Sequence, residues 1–217
     1  MEIRYRFVAN GGLSIEQVVQ LGSGANDLAT EAYPQWVQLD YRQCHHCTLT
    51  PKQTPWCPVA RNIFHAVTDC AQLASYDALE LEVQTPQRTY NAATTAQKAL
   101  CSFFGLVIGT SDCPHTAFFK PMAQFHLPLS TKEESIFRVA GTYFISEYFR
   151  GSDHFNIDRL LAVYANLQTV NEHIAKRIGD IPGGDASRNA VVLLHMLSCV
   201  LPLSLKDDLK ELERYFN

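Results

Sequence analysis

The chain has 217 residues, 47% apolar and 18% charged, with 18 Lys and Arg against 22 Asp and Glu for a formal charge of −4. A chain of this length and apolar content can bury a core, which excludes disordered and fibrous proteins and gives one domain, or one core with an appendage. The acidic excess and the lack of a Lys/Arg-rich run leave no footprint for nucleic acid or an anionic membrane.

Met1-Glu2-Ile3-Arg4-Tyr5-Arg6 alternates and lacks the apolar region of a secretory signal, so the chain is expected in the cytoplasm. Ile3, Tyr5 and Phe7 alternate with Arg4, Arg6 and Val8, and Asn10-Gly11-Gly12 supplies the positive-φ residues of a hairpin returning over residues 13–21. Residues 36–41 and 79–84 alternate in the same way, and Pro86-Gln87 reads as a turn into 88–90. Together these predict a small antiparallel sheet with one wet face.

Between the second and third of these stretches lies a Cys-, His- and Pro-rich segment, residues 43–58, followed by a helix over 59–73 with Val59, Ile63, Ala66, Val67 and Cys70 on one stripe. Residues 99–109 form a buried core helix, too short for roughly 30 Å of hydrocarbon. Ser130-Thr131-Lys132-Glu133 has the form of a capping box opening a helix over 131–149, with Ile136, Phe137, Ala140, Phe144 and Tyr148 on one face. After a turn at Gly151-Ser152-Asp153, the series Leu160, Tyr164, Leu167, Asn171, Ile174, Ile178 marks a helix of about 22 residues, about 33 Å long. Gly179 and Pro182-Gly183-Gly184 stop it, Asp185-Ala186 opens another that Pro202 ends, and Leu205, Leu209, Leu212 and Phe216 form a short tail helix. The expected fold class is α+β: an N-terminal antiparallel sheet with a Cys-rich loop and one helix (residues 1–93), packed on a C-terminal helical bundle (94–217) as one continuous domain.

The strongest chemical signal is Cys44-His45-His46-Cys47 with Cys57-Pro58 beyond it. Two thiolates two residues apart grip one soft cation from a single turn, and a third arrives from the end of the same loop. Tetrahedral zinc needs a fourth ligand, for which Cys113 in the turn before Pro114 is the first choice and His46, His115 and His126 are reserves. Cys70, Cys101 and Cys199 fall in apolar helical stripes, where a thiol acts as a small hydrophobe. The same four cysteines could hold an iron–sulfur cluster, or Cys44, Cys47 or Cys57 could act as a redox thiol, flanked by His or at a helix N-terminus. Free thiols in an inert loop are the plain alternative.

A second constellation is His126, in a Pro-bounded loop, with Glu133 and Glu134 on the helix that follows. It could do acid/base work, but local bonding of His126 and capping by Glu133 explain it as well, and Glu134 with Arg138 suits an i,i+4 pair. His195 reads as a satisfied core histidine and Asn171 as a register-setting polar residue. Phe118, Phe119, Phe125, Tyr143, Phe144, Tyr148 and Phe149 read as core. No glycine-rich phosphate loop, zincin or serine-hydrolase motif is present.

The C-x2-C pair, Cys57-Pro58-Val59-Ala60, Ser111-Asp112-Cys113-Pro114 and Phe125-His126-Leu127-Pro128, with Asn171 and Asn189, resemble an uncharacterised family of bacterial proteins of unknown function. Thr48 stands where that pattern expects proline. The resemblance implies the same cysteine-bearing loops and transfers no catalytic residue. The expected function is therefore non-enzymatic: a cytosolic, zinc-stabilised regulatory or interaction module, working with a protein partner or as a homodimer, without nucleic acid or membrane. A thiol or iron–sulfur redox protein is the alternative.

Overall fold

A computed structural model describes residues 1–22, 32–152 and 156–216. The fold is α+β. Strands β1 (Glu2–Ala9), β2 (Ser14–Gln20), β3 (Ala78–Gln84) and β4 (Thr89–Thr95) form an antiparallel sheet in the order β2-β1-β3-β4. Tyr5 pairs with Gln17 on one side and Val83 on the other, so Ile3, Tyr5, Phe7, Ile15, Val19, Leu79, Leu81 and Val83 all point inward. Their alternating neighbours, such as Glu16, Glu80 and Arg6, face water. The first hairpin closes as expected, Gly11 and Gly12 taking φ of 99° and 90°.

Six α-helices accompany the sheet among the described residues: α1 (Pro58–Asp69), α2 (Ala96–Gly109), α3 (Lys120–Gln124), α4 (Lys132–Phe149), α5 (Ile157–Gly179) and α6 (Asp185–Leu212). The inner face of the sheet packs on α1 and α2, and Phe103 sits edge-on to Tyr5 and Phe7. The same core continues through α2 into Val170 and Ile174 of α5 and Ala190 and Val191 of α6. A second cluster, Ile136, Val139, Tyr143, Leu160, Tyr164, Leu205 and Leu212, joins α4 to the outer halves of α5 and α6. The seam expected on α5 is inside, with Leu160, Tyr164, Asn171, Ile174 and Ile178 buried.

Four expectations change. Residues 36–41 are not a strand: Gln35–Val37 is a 3-10 turn and only Gln38 bridges Trp56. Val37 and Leu39 do face the core, so the period of two is right, but the backbone bonds to a neighbouring loop and a side chain instead of a strand. The capping box is one residue later than expected, with Thr131 Oγ1 accepting from Glu134 N–H and the Glu134 carboxylate accepting from Thr131 N–H. On α4 the inward face is Ile136, Val139, Ala140, Tyr143 and Glu147, and Phe137, Phe144, Tyr148 and Phe149 are exposed, as is Phe125. Of the expected core aromatics, Phe118 packs on Phe119 and Tyr143, and Phe119 on Tyr164.

Lastly, Pro202 does not end a helix; α6 runs through it to Leu212, and the tail helix is its last turns. Proline removes the N–H that would bond the carbonyl four residues back, which is Ser198. Gln168 of α5 supplies the missing donor, Nε2 to Ser198 O at 2.7 Å. The stretch Asp185–Tyr215 is long and apolar enough to cross a membrane by length and composition, with 28% of its most apolar window buried. The expected turn after α4 holds at Gly151, with positive φ, whereas Asp153 lies outside the described residues.

Gln168→Ala removes the donor to Ser198 O and is expected to lower stability by about 1–2 kcal/mol, measured as a shifted urea midpoint at constant m. Combined with Pro202→Ala, which restores the helical N–H, the loss should shrink.

Candidate metal centre

The cysteine segment is placed by its two flanks. Upstream, Arg177 of α5, 1% exposed, donates to the carbonyls of Trp36 (2.9 Å), Gln38 (2.6 Å) and Leu39 (3.0 Å). Tyr41 Oη donates to Asp180, and Arg42 pairs with Asp180 and reaches the Lys176 carbonyl, so residues 36–42 lie along the C-terminal end of α5. Downstream, Cys57 N–H donates to Val37 O and Leu39 N–H to Pro55 O, which closes the segment on itself.

Within that frame Cys47 N–H donates to Cys44 O at 3.0 Å, the turn a C-x-x-C pair needs to aim both sulfurs one way. Cys57 and Cys113 occupy equivalent places in two different elements. Each is the extended N-cap residue of a helical segment with proline next, Cys57 before α1 and Cys113 before the 3-10 turn Pro114–Phe119. Neither thiol caps its own helix.

These four thiols are one electrostatic neighbourhood. Burial pushes the Cys44 thiol up to about 12, with Cys57, Cys113 and Cys47 adding to the effect and the Arg177 guanidinium opposing it. Burial likewise pushes Cys113 up to about 11, with Cys57 and Cys47 adding, while the backbone amides of His115 and Thr116 nearby favour the thiolate. The other three are elsewhere: Cys70 and Cys101 are pushed up to about 12 chiefly by burial, and Cys199 lies 3.7 Å from His195 Nε2 on α6. As the side chains stand, no group of three or more His, Cys, Asp or Glu among the described residues is arranged to hold a metal ion.

Of the reserve ligands, His46 and His115 stack at 3.9 Å beside the thiols, with His115 Nε2 against the His46 carbonyl at 2.9 Å. His45 and His173 complete a histidine patch around His46, whose pKa is held below its usual value by burial first and by His115 next. His126 is committed to another contact, Nε2 to Tyr5 Oη at 2.5 Å. Tyr5 Oη also bonds Ser102 Oγ at 3.0 Å, and Ser102 Oγ accepts from Leu129 N–H.

His126, Glu133 and Glu134 are not joined by any hydrogen bond among the described residues. The Glu134 carboxylate is bound in the capping box, and Arg138 donates to the carbonyls of Met122 and Phe125 instead of pairing with Glu134. His195 is half-buried, and its Nδ1 has no partner. Arg177 and Tyr5 were not legible as site residues, although an arginine beside Ile178 and three residues after Ile174 in an apolar seam marks a charge carried into the core.

Two outcomes are expected. Arg177→Met removes the donors to three carbonyls, the Leu39 one buried and the other two partly so, and should lower stability by about 3 kcal/mol in chemical denaturation. His126 has a folded pKa pushed down to about 3, by burial first and the Arg138 charge second. The unfolded chain's histidine takes a proton near pH 6.5 and the folded one does not, so stability is complete above that pH and falls on acidification. About 1–2 kcal/mol should be lost by pH 5, allowing for the exposed part of the ring, and His126→Gln should flatten that slope in urea titrations across pH 5–8.

No curated protein and no solved structure matches the chain. One family model does, described as Domain of unknown function (DUF6901), over residues 3–217. With nearly the whole length matched, cysteine segment and helical half alike, the chain belongs to that family.

Proposed function

We propose that Cys44, Cys47, Cys57 and Cys113 bind one structural zinc ion and that the protein is a non-enzymatic, cytosolic interaction module stabilised by it. The observation that carries this reading is a buried guanidinium whose charge reaches Cys44. Arg177 has no carboxylate partner among the described residues, and it lies close enough to Cys44 to favour its thiolate. Zinc with four thiolates carries a net charge of −2, the counter-charge that a buried cation lacks here. The turn at Cys44–Cys47 and the two Cys-Pro helix starts are further support, since each presents a cysteine at the edge of a loop.

Closing the set takes side-chain rotation and loss of the thiol protons. The metal would join the 44–57 segment to the start of the turn after α2, so that its binding free energy is folding free energy for that junction. A closed four-thiolate site leaves no open position for a substrate, which favours structure over catalysis. The interaction role rests on the apolar side chains exposed on α4 and α6, Phe144, Tyr148, Met196 and Leu203 among them, with a second copy of the chain as the first candidate partner.

Elemental analysis of untagged protein is expected to give about one zinc per chain, with Cys57→Ser and Cys113→Ser losing it and Cys70→Ser keeping it. A strong chelator should lower Tm by roughly 10 °C, taking about 2–4 °C per kcal/mol for a chain of this size. Iron with sulfide would replace zinc by a cluster on the same ligands, and protein without metal whose Tm ignores the chelator would end the proposal. Sedimentation at micromolar concentration should show a dimer that Phe144→Ser weakens; a monomer throughout would remove the homodimer.

A further inference from the structure

A cavity of about 630 Å³ lies between α2, the segment 119–130, α4, α5 and α6, and none of the four cysteines above lines it. Its size suits a small organic ligand. One wall is apolar, built from Phe119, Leu194, Leu197 and Leu201. On α2 it opens at Gly105, where no side chain fills the space toward Leu194.

The cavity also holds one strong cation. Arg138 lines it, and both hydrogen bonds it makes use Nη2, to the Met122 and Phe125 carbonyls. Its Nε and Nη1 make none among the described residues, and no described carboxylate lies within ion-pair distance. The exposed Lys98 adds a second positive charge to the lining. On the α5 wall Asn171, 1% exposed, has a side-chain oxygen with no donor, its Nδ2 lying 3.5 Å from Ser198 Oγ. That oxygen is an acceptor and offers nothing to an anion, so Arg138 is the group that selects the head of a ligand here.

We propose that this cavity binds a medium-chain alkyl carboxylate, the alkyl chain against the leucine wall and the carboxylate on Arg138. A guanidinium presents donors in a planar fork that a carboxylate matches, and in a partly desolvated site that contact discriminates strongly against an uncharged head. The site is separate from the proposed metal centre and stands or falls independently of it.

The test is calorimetric titration of delipidated full-length protein with dodecanoate and with dodecan-1-ol, both below the concentrations at which they aggregate. Saturable one-to-one binding of dodecanoate is expected, with the alcohol weaker by about tenfold or more. Arg138→Gln should remove that preference, and Leu197→Trp, at a half-exposed position on the lining, should weaken both ligands. Because Arg138 also holds two carbonyls, its variant is first checked for fold by circular dichroism; if it unfolds, the alcohol comparison and Leu197→Trp decide. No saturable dodecanoate binding, equal affinity for acid and alcohol, or indifference to Leu197→Trp would each overturn the proposal.

Discussion

The constraint on which the N-terminal loop depends is the guanidinium of Arg177. It sits in the last turn of α5, shielded from water, and holds three successive stretches of backbone at Trp36, Gln38 and Leu39 by their carbonyls. An extended segment with no strand partner leaves carbonyls bare unless something else donates, and here one side chain of the helical half does so. The consequence reaches further along the chain. With residues 36–42 docked on α5, the C-x-x-C turn and Cys57 are delivered to the place where the turn after α2 presents Cys113.

The same device recurs elsewhere on a smaller scale: a polar side chain from one helix completes backbone that the local sequence leaves open. Gln168 donates to the carbonyl that Pro202 orphans, so α6 is one helix of 28 residues. Arg138 donates to the carbonyls at the end of α3 and thereby faces the cavity. Arg177 and Arg138 each keep donors beyond the carbonyls they close, and the two proposed sites are read from that surplus.

Much of the architecture was legible because it depends on local period and turn chemistry. Asn10-Gly11-Gly12, the alternations at 3–7 and 79–84, and the 4-3 spacing along α5 are each decided by which face a residue must bury. The misreadings share a cause. Residues 36–41 have the period of a strand and the burial of one, yet their backbone groups are taken by residues 55–57 and by the Arg177 side chain, not by a strand of the sheet. Phe137, Phe144 and Tyr148 read as core because aromatics usually are, but the inward stripe of α4 is set by Tyr143 and Val139 against α5 and α6. Pro202 read as a stop because its rescuer lies 34 positions earlier in the sequence, on another helix.

By itself the sequence determined the α+β class, most element positions and which cysteines belong to loops and which to apolar helices, since these follow from spacing and from the chemistry of Cys-Pro and Gly-containing turns. Tertiary structure alone decided that Cys44, Cys47, Cys57 and Cys113 share one neighbourhood, that Arg177 faces it, and that Arg138 and Asn171 open on one cavity. Those facts depend on groups brought together from different elements, as the Arg177 side chain and the Leu39 carbonyl are across 138 positions. Periodicity reports which way a residue faces within its own element; only packing determines what it meets there.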